Sequence, residues 1–272
     1  MPELPAGSDL ALAPTLRPLV RHRGQGVRQV VDALASSGFE AIQLDAGLAG
    51  MRPRELDKRA RQDLLAMLAR RSMRAGGVDL FIPRQHLLDL QTLDRAVEAM
   101  LEAVELAADL GRVPLSIALP VRKMQTGQSA EALAEIVAAA EGRGVGLSVH
   151  AEDMLEPLKQ WLNEVDLPVV GAGIDAAALL GGDVDPAQTI HHLGPRLMTA
   201  RLSDASTAFG TGGGAVRCTV GEGELDLLSF RLALDMAPAR QGPVILDLRG
   251  LEAPWQAAET AHSRWKDAAP AI

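Results

Sequence analysis

Five strand-length segments carry side chains able to do chemistry, and in each the polar positions fall at every second residue. Gly146, Ser148 and His150 alternate with Val145, Leu147 and Val149; Gly171, Gly173 and Asp175 alternate with Ala172 and Ile174; Thr199, Arg201 and Ser203 alternate with Met198, Ala200 and Leu202. Ile245, Asp247 and Arg249 oppose Val244, Leu246 and Leu248, and Ala41, Gln43 and Asp45 oppose Ile42 and Leu44. Residues i and i+2 of a strand share a face. Each segment therefore has one aliphatic side and one side that is small low in the strand and polar near its carboxyl end. The chemistry on offer is proton transfer by His150, a residue type that titrates near neutrality, carboxylate chemistry at Asp175 and Asp247, and hydrogen bonding from Arg201, Arg217 or Arg249 to hydroxyl or anionic groups. One such residue alone would be a solvated turn position. Five segments with one parity point to a common polar site.

The elements that must position these residues are legible in the same pattern. Eight short apolar runs occur, near residue 10 and starting at 41, 78, 114, 145, 169, 197 and 244, separated by longer stretches of helical periodicity such as RELDKRARQDLLAMLARRS and LDRAVEAMLEAVELAADLG. Strict alternation of strand and helix implies a parallel sheet with crossover helices, and eight units with none left over predict a single (β/α)8 TIM barrel. An open doubly wound sheet is the runner-up. The 272 residues match one barrel, so one domain is expected over 1–272, with 1–8 as an N-terminal arm. In a barrel the aliphatic face packs on the outer helices. The polar face converges on the mouth at the carboxyl ends of the strands, where barrel enzymes place their chemistry.

Composition narrows the function class. Apolar residues make up 47% and charged residues 23%, the balance of a globular chain with a large core, and tyrosine is absent. The formal net charge of −8 and the lack of a Lys/Arg stripe interleaved with aromatics exclude a phosphate-backbone footprint, so no nucleic-acid partner is expected. No apolar run approaches the roughly 20 residues that cross a bilayer, so no membrane partner is expected. The single cysteine, Cys218, and the first residues, MPELPAGSDLALAP, which lack a basic segment leading into an apolar core, predict a cytoplasmic protein.

From the fifth strand onward the chain resembles the xylose-isomerase-like barrel family of sugar and sugar-phosphate isomerases and epimerases, which also has an endonuclease branch. Where that family often reads GVxLxLEN, residues 144–151 read GVGLSVHA; its VGxxxDxxH followed by GxDP corresponds to VGAGIDAAALLGGDVDP from Val170. Its RIxxVHLKD strand corresponds to RLMTARLSD at 196–204, and its loop with Arg and GxG to Arg217, Gly221 and Gly223. The apolar run that usually holds a Glu is VILDL at 244–248, and GFEAIQLD gives weaker support in the first half.

The resemblance implies a divalent metal held by two Glu, one Asp and one His, with the two Glu passing a proton through an enediolate. Carried over position by position, the fifth-strand Glu is His150, the Asp is kept as Asp175, and the His three residues later is Ala178. The seventh-strand His is Arg201, with Asp204 kept, and the eighth-strand Glu is the shorter Asp247. A guanidinium cannot ligate a metal and repels a divalent cation at close range. Arg201 is therefore expected to stand in for the cation and to pair with Asp175, Asp247 or both, with no cofactor. The alternative is one divalent ion (zinc, manganese, cobalt or magnesium) on His150, Asp175 and Asp247 with Arg201 swung away.

The implied function is that of a sugar or sugar-phosphate isomerase or epimerase whose two-Glu metal chemistry is altered or lost. His150, Asp247 and Asp175 are its candidate catalytic groups, and Arg201, Asp204, Arg217, Gln43 and Arg249 bind the substrate. The alternative is a non-catalytic descendant that binds a carbohydrate or sugar phosphate, and a third class is an assembly role in which the mouth is incidental. Glu152 is a candidate base, ligand or helix-terminal carboxylate, with the last favoured. His191 and His192 belong to a surface helix end, and His86 follows strand three near the mouth. Asp79 is expected to point inward and either to pair with an inward Arg or to face water, and GTGGGAVR at 210–217 is read as a flexible loop able to act as a lid.

Overall fold

The computed structural model describes residues 10–124, 126–209, 214–237 and 241–269, and the expected arm at 1–8 lies outside them. Seven strands come first in the chain: β1 (Leu12–Pro14), β2 (Ala41–Asp45), β3 (Arg74–Leu80), β4 (Leu115–Ala118), β5 (Leu147–His150), β6 (Val170–Asp175) and β7 (Leu197–Leu202). A short hairpin, β8 (Asp204–Ser206) and β9 (Val216–Cys218), precedes β10 (Val244–Leu246). The parallel sheet runs β1-β10-β7-β6-β5-β4-β3-β2. A parallel bridge from Thr15 to Gln43 joins its two ends, so the eight strands close into the predicted (β/α)8 barrel.

Helices follow the strands because each intervening segment carries a helical apolar stripe and its own stop and start signals. Asp57, Asp185 and Asp226 accept backbone N–H groups at the first turns of the helices Lys58–Ala69, Pro186–Leu193 and Leu227–Asp235. The aliphatic faces of the strands join these helices in one large core, whereas Ala13, Ala41 and Ile245 form a small separate cluster in keeping with their inward parity. No helix among the described residues is long and apolar enough to cross a membrane.

Two β-bulges account for where the sequence pattern misleads. The predicted third strand begins at Val78, yet β3 begins at Arg74, and its register against β2 shifts between Ile42 and Gln43. Gly76 and Gly77 punctuate like a turn but form the bulge. The second shift pairs Ala172 with Leu197 and Gly173 with Thr199, leaving Met198 as the extra residue. Met198, assigned by alternation to the outer aliphatic face, instead lies against Gly146 and Gly171 on the inner face. A bulge resets the period-two count.

Candidate functional site at the carboxyl ends of the strands

Arg201 is 2% exposed and is the largest wholly buried side chain among the described residues. From β7 its guanidinium reaches across the barrel. Nη2 donates to Asp79 Oδ1 at 2.6 Å, Nη1 donates to Gln43 Oε1 at 3.2 Å, and Nε donates to His150 Nε2 at 3.4 Å. Nη1 also stands 3.6 Å from Asp247 Oδ2. One planar cation thereby ties together side chains of β2, β3, β5 and the end of β10, a geometry that a fork of fixed donors satisfies and an ammonium does not. Gln43 completes its amide by donating to Ser116 Oγ at 3.4 Å.

Two more arginines close the remaining carboxylates. Arg249 Nε donates to both oxygens of Asp247, at 2.9 and 3.0 Å, and its backbone N–H donates to Asp247 Oδ1 at 3.0 Å. Arg217, carried by β9, bonds Asp175 Oδ2 and lies 3.4 Å from Asp247 Oδ2. Burial raises the proton affinity of Asp247, but the charge and hydrogen bonds of Arg249, joined by Arg201 and Arg217, outweigh it and hold this carboxyl far below the usual carboxylate range. The expected partners of Arg201 are thus half right. Asp247 is one of them, but the strongest contact is Asp79, and Asp175 belongs to Arg217 and, at 3.6 Å, Arg249.

His150 forms a second unit with Glu152. Nδ1 lies 2.7 Å from Glu152 Oε1. Burial works to raise the Glu152 carboxyl, yet His150, through charge and hydrogen bond, brings it below its ordinary value. An ionised Glu152 accepts from Nδ1–H whether or not the ring is charged, and in the neutral ring Nε2 is then the acceptor facing the Arg201 Nε–H. Glu152 does open a short helical turn, Glu152–Met154, but its carboxylate serves His150, not the helix terminus favoured from sequence. Gly173 is required here, because a Cβ at that position lies 2.5 Å from Ser148 Oγ and 2.6 Å from His150 Cε1.

Other residues fall elsewhere. Asp204, expected to touch substrate, is wholly buried and accepts backbone N–H groups of Gly221 (2.8 Å), Gly223 (3.0 Å), Leu225 (3.0 Å) and Ala205 (2.8 Å). It organises the turn after β9, and all its capacity is spent there. Asp175 also accepts from Ser203 Oγ at 2.7 Å and from the N–H of Ala178 at 3.3 Å. His191 and His192 sit in the last turn of an outer helix, and Gly210 to Gly213 of the expected lid lie outside the described residues. The sequence reading set Asp79 inward, with an inward Arg or water as its partner, and put a helix-terminal role for Glu152 ahead of base or ligand; the structure brings both into the site. The signal was available, since Asp79 continues the inward parity of β3 and Glu152 stands two residues beyond His150.

The cavity over this floor measures about 420 Å³ and is lined by Asp79, His150, Glu152, Asp175, Arg201 and Arg249, with an apolar wall of Leu80, Phe81, Pro83 and Ile117. The charges of its lining balance: Arg84, Arg201 and Arg249 face Asp79, Glu152 and Asp175. A divalent ion does not fit this donor set. Each of the three carboxylates already meets a guanidinium, His150 Nε2 faces the Arg201 N–H, and among the described residues no three His, Cys, Asp or Glu side chains stand close enough to share an ion.

The profile of the xylose isomerase-like TIM barrel matches residues 31–268. Among solved structures, a xylose isomerase domain protein from Planctomyces limnophilus is similar with a TM-score of 0.73 at 16% identity, covering 94% of this chain and 95% of that one. The D-allulose 3-epimerase from Methylomonas sp., solved with D-allulose, gives 0.69 at 15% identity over 96% and 98%. The probable 3-DHS dehydratase of petrobactin synthesis from Bacillus anthracis gives 0.72 at 14% identity over 94% and 98%. No curated protein matches the chain.

Proposed function

We propose that this chain, which belongs to the xylose isomerase-like TIM-barrel family, binds a small carbohydrate at the mouth of its barrel and acts as an isomerase- or epimerase-like protein without a divalent metal. The observation that carries this is the Arg201 guanidinium, buried among Asp79, Asp247, Gln43 and His150. A floor of matched guanidinium and carboxylate groups offers donors and acceptors at fixed angles, the complement of adjacent hydroxyls. Because its charges balance, the floor has no positive excess for a phosphate, and a neutral sugar suits it better than a sugar phosphate. The Methylomonas relative, with D-allulose bound, supports the ligand class.

Within this proposal His150 is the proton carrier. Glu152 fixes Nδ1–H, and Nε2 takes up a proton once a bound sugar draws the Arg201 Nε–H away from it, while Arg201 supplies the positive charge that stabilises oxygen anions developing on a neighbouring carbonyl. A non-catalytic binding protein is the second reading, favoured by one observation: Asp175 and Asp247, the other candidate proton carriers, are both held by arginines. The test is incubation with ketoses and aldoses in D2O, with EDTA present. Sugar-dependent thermal stabilisation with deuterium entering the carbon next to the carbonyl, lost in His150→Ala, supports the enzyme. Stabilisation without exchange supports the binding protein, and neither effect with any sugar overturns both.

A further inference from the structure

Among the aromatic side chains whose exposure is described, Phe81 alone is exposed, at 64%. It stands two residues beyond Asp79 and so continues the inward parity of β3 past the strand end, at the lip of the mouth. Phe81, Leu80 and Pro83 line not only the 420 Å³ mouth but also a second cavity of about 470 Å³. That cavity runs between the short turn Pro53–Glu55 and the helix Leu93–Asp109. Phe81 is therefore the partition between two adjoining spaces.

The chemistry changes along this path. At the mouth end are the ion-paired floor and His150; in the middle are the Phe81 ring, Leu80 and Pro83; at the far end are Arg52, Arg54, Arg95 and Thr92 together with Glu98 and Glu102, a polar wall of both signs. Arg52 is paired with Glu55 at 3.1 Å, whereas Arg54 and Arg95 have no ion pair among the described residues. A sugar ring presents hydroxyls at its edge and C–H groups on its faces, and the C–H face packs on an aromatic ring as other apolar surface does. A ligand confined to the mouth would leave the second cavity, on the other side of Phe81, unused.

We propose that Phe81 is the stacking platform of a two-subsite pocket, and that the ligand is a glycoside with one sugar unit in the mouth and a second polar unit in the adjoining cavity. This rests on the carbohydrate reading and narrows it. Phe81 then selects among carbohydrates by the second unit, while the Arg201 floor holds the first.

The test is calorimetric titration of wild type, Phe81→Ala, Phe81→Trp and an Arg54→Ala/Arg95→Ala double variant with glucose, fructose, galactose and xylose, and with maltose, cellobiose, lactose, sucrose and trehalose. A disaccharide is expected to bind at least ten-fold more tightly than either of its units. Phe81→Ala should erase that gain at unchanged Tm, because the ring is exposed; Phe81→Trp should keep it, and the double arginine variant should weaken the disaccharide alone. A monosaccharide that binds as tightly as any disaccharide, or affinities unchanged in Phe81→Ala, overturns the inference while sparing the carbohydrate reading. Absence of binding by every sugar overturns both.

Discussion

Arg201 Nη2 lies 2.6 Å from Asp79 Oδ1, so a side chain of the seventh barrel strand is anchored on the third across the interior. Asp79 contributes a buried negative charge and Arg201 spreads a positive one toward four strands. This contact is one of the pairings by which Asp79, Asp175 and Asp247 persist at the end of a closed barrel. Burying a carboxylate is costly unless a cation and hydrogen bonds accompany it, and each aspartate here has both.

Removing that cation should cost stability as well as function. Arg201→Leu leaves Asp79 and Asp247 buried with fewer partners, a change expected to cost about 3–5 kcal/mol, or roughly 6–20 °C in Tm for a chain of this size. Arg201→Lys should recover only part of it, since one ammonium cannot reach Asp79, Gln43 and His150 together. Calorimetric melting of both variants checks this; a loss under about 1 kcal/mol for Arg201→Leu would show that the network is dispensable.

Acid should reveal Asp247. Its carboxyl is held below its ordinary value in the folded chain, so the unfolded chain takes up the proton first as pH falls. The stability it contributes is complete above an unfolded value of about 3.9 and drains away below it. Asp247→Asn should melt lower than wild type at pH 7 and lose less on going from pH 5 to pH 3. Parallel melting curves over that range would contradict the assignment.

The pairing of Glu152 with His150 makes a spectroscopic prediction. In wild type the two imidazole nitrogens should have well separated 15N shifts, with the proton on Nδ1. In Glu152→Ala the separation should shrink as both tautomers become populated, with about 1–3 kcal/mol of stability lost with the charge-assisted bond. If a sugar is turned over, His150→Ala should slow it at least about 100-fold. A wild-type ring protonated on Nε2 would refute the pairing.

Gly173→Ala isolates the positioning of His150. The added methyl meets Ser148 and the imidazole, so the ring must move or the strand must shift, at about 1–3 kcal/mol. Sugar-dependent thermal stabilisation should disappear while the barrel still folds. Unimpaired stabilisation would mean that His150 need not occupy its place beside Arg201.

The fold and most of the floor were legible because parity along a strand is a geometric rule that one sequence displays. Gln43, His150, Asp175, Arg201, Asp247 and Arg249 all converge from separate segments as alternation predicts. What was not legible follows from the places where alternation fails or says nothing. Met198 turned inward because a bulge inserted it, and β3 began early because Gly76 and Gly77 resemble a turn. Which charges pair was only partly legible: parity brought Arg201 and Arg249 to one mouth with Asp79, Asp175 and Asp247 but left open which reached which, and Arg201 chose Asp79. Asp204 matched the family motif, yet its carboxylate is consumed by backbone N–H groups of the following turn, a role the motif's spelling does not reveal.

The central claim is that the Arg201 guanidinium, with no divalent ion, sits among the carboxylates of the mouth, and elemental analysis of the purified protein after equilibration with manganese, cobalt, magnesium and zinc tests it most directly. The account predicts far less than one ion per chain, and the same Tm with those ions as with EDTA. One tightly held divalent ion per chain, with a Tm that EDTA lowers, would contradict it.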